Sequence, residues 1–182
     1  MVKKYKKRLG QHFLHDSNTI NKIMKFINPT KKDIFLEIGP GEGALTNSLL
    51  TNAKKVFLIE KDKALIPLLT NKYKDVSKAH IIQADILKYN LSNLIKKRFR
   101  IIGNLPYNIS TEIIFKMITL APLIDDMHFM LQKEVVERIV SPPGSKVYGR
   151  LSVMTQVYFD VERLFNISPN VFTPKPKVDS AY

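Results

Sequence analysis

Four short apolar runs in this 182-residue chain each lead into a residue type that can grip a small polar ligand. Ile34-Phe35-Leu36-Glu37-Ile38 runs into Gly39-Pro40-Gly41-Glu42-Gly43, and Val56-Phe57-Leu58-Ile59 ends on Glu60. Ala79 to Gln83 leads to Asp85, and Arg100-Ile101-Ile102-Gly103 ends on Asn104. Glycines such as Gly39 and Gly41 let a backbone approach a ligand closely. The Glu60 carboxylate can pair with two ribose hydroxyls, and Asp85 offers the acceptor that an adenine amino group needs. Taken singly, each feature has an ordinary explanation: a glycine-rich turn joins a strand to a helix, and an acid after a strand caps a helix or faces water. Four of them at the same edge of a sheet make a site.

Two cofactor classes fit these residues. The glycine turn matches a dinucleotide fingerprint with Ala44 in the third small position, and Glu60 lies at the right distance for a ribose, as in a nicotinamide- or flavin-dependent oxidoreductase. A pyrophosphate, however, wants free N–H groups at a helix N-terminus, and Glu42 in the turn would repel it. The same carboxylate suits S-adenosylmethionine, which carries no phosphate and has a sulfonium and an ammonium. The fourth strand end sharpens the choice. In Gly103-Asn104-Leu105-Pro106-Tyr107, the Asn104 side-chain oxygen and the Leu105 carbonyl can both point at one amine, Pro106 stiffens the turn, and Tyr107 supplies an aromatic face. Methylation of an exocyclic base amine requires this set. Its lone pair is delocalised into the ring, two acceptors on its hydrogens favour the tetrahedral nitrogen that attacks, and stacking holds a flipped base. No strong base lies in the motif and no metal is expected.

The elements that must carry these residues follow from the pattern. Asp16 caps a helix with Ile20, Ile23, Met24 and Ile27 on one face, ending at Asn28-Pro29. Further helices are predicted over Ala44 to Asn52, Ala64 to Lys74, Thr111 to Leu120, Glu134 to Val140 and Leu151 to Phe159. A fifth strand is predicted over Met127 to Leu131 and a sixth over Val161 to Ile167. Strands that alternate with helices and read as continuous apolar runs imply a mostly parallel, doubly covered sheet.

The composition sets the outer limits. Hydrophobic residues make up 45% and charged residues 25%, as in an ordinary globular domain. The absence of cysteine excludes disulfides, thiolate zinc sites and a cysteine nucleophile. No uncharged run exceeds 11 residues, too short to span a bilayer. The basic N-terminus has no apolar segment after it, so a cytoplasmic protein with no membrane partner is expected. Twenty-nine Lys and Arg against 16 Asp and Glu leave a net charge of +13, which favours a polyanionic partner. Lys3, Lys4, Lys6, Lys7 and Arg8 form one basic cluster and Lys96, Lys97, Arg98 and Arg100 another.

At these motifs the chain resembles the rRNA adenine N6,N6-dimethyltransferases, and within them the small-subunit branch linked to kasugamycin sensitivity. The segments that carry the resemblance are Lys7 to Leu14, Glu37 to Gly43, Ile59 to Asp62, Gln83 to Leu87, Gly103 to Thr111, Gln132 to Arg138, Gly149 to Val153 and Phe172 to Ser180. The resemblance implies a Rossmann-like class I S-adenosylmethionine-dependent methyltransferase fold with a mostly parallel seven-stranded sheet. It implies cofactor contacts at His12, Leu14, Gly39, Glu60, Asp85 and Asn104, with His12 standing where the family often has asparagine, and a target adenine held between Tyr107 and Phe172. The implied activity is dimethylation of two adjacent adenosines near the 3′ end of 16S rRNA within an immature 30S particle, by a monomer. Related macrolide-resistance enzymes act on large-subunit rRNA and tend to carry isoleucine at the place of Leu105. An oxidoreductase, a non-catalytic assembly module and a mitochondrial transcription factor are the other readings. Family members continue into a helical C-terminal domain, so the expected organisation is a basic segment over 1–15, a methyltransferase domain over 16–182 cut inside its last strand, and no C-terminal helical domain.

Overall fold

Strand and helix alternate along the chain as its apolar pattern requires. The computed structural model describes residues 10–94 and 97–182. In chain order these form β1 (Phe13–Leu14), α1 (Ser17–Ile27), β2 (Ile34–Ile38), α2 (Ala44–Asn52), β3 (Lys55–Glu60), α3 (Ile66–Lys72), β4 (Ala79–Gln83) and β5 (Phe99–Asn104). They continue with α4 (Ser110–Ile118), β6 (Ile124–Gln132), α5 (Lys133–Ile139), α6 (Arg150–Tyr158), β7 (Asn166–Ile167), β8 (Phe172–Thr173) and β9 (Ser180–Ala181). Seven strands make the main sheet in the order β4-β3-β2-β5-β6-β9-β7. The pairings β2·β3, β2·β5, β3·β4 and β5·β6 are parallel, and β9 runs antiparallel to both its neighbours.

Because successive side chains on a strand point to opposite faces, each buried strand feeds two cores. Phe35, Val56, Leu58, Ile102 and Met130 join Ile23 and Ile27 of α1, Leu45 and Leu49 of α2 and Leu69 of α3 on one face. Leu36, Phe57, Ile59, Ile101 and Leu131 join Ile113 and Met117 of α4, Val135 and Ile139 of α5 and Leu151 of α6 on the other. This is the three-layer α/β architecture implied by the sequence pattern, with a mostly parallel seven-stranded sheet. Local signals behave as expected: the Asp16 carboxylate accepts from the Thr19 N–H at 2.7 Å at the start of α1, and Pro67 sits in the first turn of α3.

Three features differ from the sequence-based expectation. The predicted sixth strand, Val161 to Ile167, contracts to Asn166–Ile167, because a ladder extends no further than its partner and β9 supplies two residues. The Leu164 N–H instead donates to the Tyr182 carbonyl. A separate two-stranded sheet pairs β1 with β8, matching Phe13 to Thr173 and Leu14 to Phe172. It ties residues 10–15 into the domain. Finally, Arg98 and Arg100 are not a free basic patch. Arg100 reaches both Asp126 (2.7 Å) and Asp33 (2.9 Å), and Arg98 reaches Asp125 (2.5 Å), at the end of the sheet opposite Asn104. Lys3, Lys4, Lys6, Lys7, Arg8 and Lys96 lie outside the described residues. Among the described residues, no helix is long and apolar enough to cross a membrane.

Candidate functional site

The order β3-β2-β5 places the carboxyl ends of three parallel strands side by side where the chain reverses its winding, the position at which open α/β sheets take ligands. A cleft opens there. Its lining includes His12, Leu14, Gly39, Gly41, Glu60, Asp85, Asn104, Leu105, Pro106 and Tyr107. The one sequence-predicted site residue outside the lining is Phe172. It sits on β8 opposite Leu14, is 3% exposed, and belongs to the core that also holds Met130 and Tyr182.

The glycine turn owes its shape to positive φ angles. Gly41, at φ 59°, also has no room for a side chain, since a Cβ there would stand 2.9 Å from the Phe13 ring. The segment that ends in β1 therefore lies directly over the turn. Gly103 is constrained differently: a Cβ would meet the Ile38 carbonyl oxygen at 2.8 Å, so only glycine lets β5 approach β2 just before Asn104.

Glu60 is 6% exposed and accepts backbone N–H groups from Gly41 at 3.2 Å and Asp62 at 2.7 Å. Burial is the largest influence on its carboxyl and raises the pKa, with those amides acting against it. A carboxylate has about four lone-pair sites, so two amides leave acceptor capacity for a pair of ribose hydroxyls. Asp85 accepts from Lys61 at 2.8 Å and from the Leu87 N–H at 3.0 Å, and the Lys61 hydrogen bond is the main reason its pKa is lowered.

At the β5 end, the Asn104 Nδ2 donates to the His12 carbonyl at 2.6 Å. A carbonyl only accepts, so this bond fixes which end of the amide is which and leaves Oδ1 as the acceptor end. Leu105 is 1% exposed, and its N–H is held by the Met130 carbonyl at 3.2 Å. The Tyr107 hydroxyl pairs with Ser180 Oγ at 2.6 Å, and its ring stacks on His12 with centroids 5.3 Å apart. His12 Nδ1 lies 2.7 Å from the Pro174 carbonyl and must be the donor there.

Three contributors escaped the reading of the sequence. Glu37 lines the cleft, is 2% exposed and accepts from the Thr46 hydroxyl at 2.6 Å. Burial outweighs that bond and pushes its pKa up to about 7. A lone charge in the otherwise apolar run 34–38 was the available signal. Gln11 and Asp62 pair at 2.9 Å, and no local pattern announces a bond across 51 residues.

The cleft can be tested for the cofactor its residues suggest. Among the described lining residues Glu37, Glu42, Glu60 and Asp85 are acidic, while Lys61 is the one cation and is already engaged by Asp85. This lining disfavours a pyrophosphate and fits a nucleoside that carries positive charge. Among the described residues, no group of three or more His, Asp or Glu side chains is placed to hold a metal ion.

Comparison with known proteins gives a consistent picture. The family model described as "Ribosomal RNA adenine dimethylase" matches residues 2–182. The chain is 49% identical over 178 residues to "Ribosomal RNA small subunit methyltransferase A" of Pseudomonas aeruginosa, covering 97% of this chain and 66% of that protein. It therefore spans slightly less than two thirds of that relative's length. A dimethyladenosine transferase from Plasmodium falciparum superposes with a TM-score of 0.84 at 33% identity, covering 93% of this chain and 61% of the other. The 23S rRNA methyltransferase ErmE superposes with a TM-score of 0.81 at 32% identity, covering 93% of this chain and 67% of that one.

Proposed function

The chain belongs to the ribosomal RNA adenine dimethylase family, and from that premise we propose that it dimethylates the N6 amines of two adjacent adenosines near the 3′ end of 16S rRNA, using S-adenosylmethionine. The observation that carries the reading is the state of Asn104. Its Nδ2 is committed to the His12 carbonyl, its Oδ1 remains an acceptor, and it stands between the acidic cleft and Tyr107. The small-subunit substrate is supported by the 49% identity, over 97% of this chain, to a relative named for the small subunit.

In this reading Glu60 takes the ribose hydroxyls, Asp85 the adenine amino group, and the Gly39–Gly41 backbone, with His12 and Leu14, packs against the rest of the cofactor. S-adenosylmethionine supplies an electrophilic methyl group on a sulfonium. Asn104 Oδ1 and the Leu105 carbonyl accept the two hydrogens of the target amine, which draws its lone pair out of conjugation and aims it. Pro106 keeps that turn rigid. Tyr107, already stacked on His12, holds the flipped base, and Phe172 supports the same wall from β8. With the cofactor bound, the N–C bond would form as its C–S bond breaks, and the surplus N6 proton would leave to solvent. Acceptors that act on the amine more strongly as it becomes tetrahedral lower the barrier, and in-line orientation supplies most of the remainder.

The partner in this reading is rRNA within an immature 30S particle in the cytoplasm, met by a monomer whose methyltransferase domain spans residues 16–182 together with residues 10–15, which β1 ties to it. The excess of 13 positive charges supports a polyanionic partner. The deciding experiment is transfer of labelled methyl groups from S-adenosylmethionine to immature small subunits, with the modified bases identified by mass spectrometry. N6,N6-dimethyladenosine at two neighbouring positions of 16S rRNA is expected. Methylation confined to 23S rRNA, or tight NADH binding without S-adenosylmethionine binding, would overturn the reading.

A further inference from the structure

An unbroken chain of bonds joins the Glu60 carboxylate to the Asn104 amide, and it passes through the segment that covers the cleft. Glu60 Oε1 accepts the Asp62 N–H at 2.7 Å. Asp62 is 4% exposed; its Oδ1 accepts the Ala64 N–H at 3.0 Å and its Oδ2 accepts Gln11 Nε2 at 2.9 Å. One residue beyond Gln11, the His12 carbonyl receives Asn104 Nδ2 at 2.6 Å. The far side of the segment is held by His12 Nδ1 on the Pro174 carbonyl and by the stacking of His12 on Tyr107.

A primary amide has a donor end and an acceptor end, and the chemistry proposed for Asn104 uses the acceptor. If the His12 carbonyl moves away, nothing in this chain of bonds prevents the amide from turning its NH2 toward an amine whose own hydrogens are donors. We propose that Gln11 and Asp62 are positioning residues for methyl transfer: their bond sets the His12 carbonyl, and the carbonyl orients Asn104. The carboxylate assigned to the ribose and the amide assigned to the target base then belong to one rigid network. This inference rests on the reading of Asn104 as the acceptor for the reacting amine.

The test uses a repulsion and its relief. Gln11→Glu sets two carboxylates against each other where a 2.9 Å bond now stands. Adding Asp62→Asn restores a donor to that pair while its amide oxygen still serves the Ala64 N–H. In the intact protein, Gln11→Glu is expected to slow single-turnover methylation of immature small subunits by about 100-fold at saturating cofactor and RNA. Cofactor affinity, read by calorimetry, should change less than the rate. The double variant should regain most of the rate. The side-chain 15N amide signal of Asn104 should shift in the single variant and return in the double. A merely structural role predicts that rate and cofactor affinity fall together with no rescue, and that pattern overturns the proposal. So does an Asn104 signal indifferent to Gln11→Glu. If Gln11→Glu does not fold, Gln11→Ala removes the bond without repulsion and should still slow transfer by about 10-fold. Absence of transfer by the unaltered protein counts against the proposed function alone, because the Asn104 signal reads the network without turnover.

Discussion

The two ends of the central sheet treat charge in opposite ways. At the amino ends of β5 and β6, Arg100 is satisfied by Asp33, Asp126 and the Ile27 carbonyl, with bonds of 2.6 to 3.1 Å. At the carboxyl ends of β2 and β3, Glu37 and Glu60 are buried with a hydroxyl and backbone amides for company. Charges that neutralise each other hold a fold together and offer little to a ligand. Carboxylates held only by neutral donors keep lone pairs and unbalanced charge, at a cost in stability, for something that arrives later. The pKa values record the contrast. Burial acts to raise the Asp126 carboxyl, yet hydrogen bonds from His128 and Arg100 outweigh it and bring it down to about 2, whereas burial prevails at Glu37 and lifts it to about 7.

The largest effect is expected at Asn104, the residue to which the proposed function gives the reacting amine. Asn104→Ala should reduce methyl transfer by about 1000-fold, the scale seen when a transition-state acceptor or donor is deleted, with a far smaller change in thermal stability. Near-normal transfer by this variant would erase the distinction between the two ends.

Arg100→Ala should do the reverse. Removing the cation that two carboxylates share costs about 3 kcal/mol of unfolding free energy, measured by urea denaturation, while cofactor affinity stays within a few-fold. Acid should mimic it. A depressed carboxyl contributes stability that is fully present above its unfolded pKa near 4 and is lost as pH falls toward 2.

Glu60→Ala should weaken S-adenosylmethionine binding by roughly 1–3 kcal/mol in calorimetry, the cost of leaving ribose hydroxyls without their acceptor. Unchanged affinity would place the ribose elsewhere in the cleft.

A pH-dependent effect sharpens the contrast further. Because Glu37 has its pKa raised in the fold, the folded state holds its proton more firmly than the unfolded chain does. Stability is therefore greatest below about pH 4.5 and declines as pH rises through about 7. Glu37→Gln keeps an acceptor for Thr46 and has no charge to bury. It should be more stable than the unaltered protein by about 3 kcal/mol at pH 8 and by no more than about 1 kcal/mol at pH 5. Parallel stability profiles for the two proteins would show that Glu37 ionises without penalty.

Most of the cleft lining was legible in the sequence because its residues follow local rules. A strand of continuous apolar residues announces burial on both faces, and whatever ends it must stand at the sheet edge. That reasoning reaches Gly39, Gly41, Glu60, Asp85 and Asn104 directly, and the stiff Leu105-Pro106-Tyr107 turn with them. His12, Leu14 and Phe172 had only family resemblance behind them, since nothing near them in the chain says where they go. Arg98 and Arg100 looked like a nucleic-acid patch because charge counts are blind to partners 27 residues away for Arg98 and 26 and 67 residues away for Arg100.

Sequence alone therefore determined the alternation of elements, the parallel sheet and which residues stand at four strand ends. All of these follow from side-chain period and turn chemistry within a few residues. Tertiary structure decided what those ends are joined to. It paired Phe13–Leu14 with Phe172–Thr173, laid Phe13 over Gly41, buried the Phe172 ring, and gave Asn104 its orientation through a carbonyl 92 residues away. Two-residue strands and single side-chain bonds have no period to read. Closing so long a loop becomes favourable only once the surrounding core has formed, so these contacts exist as a property of the whole fold.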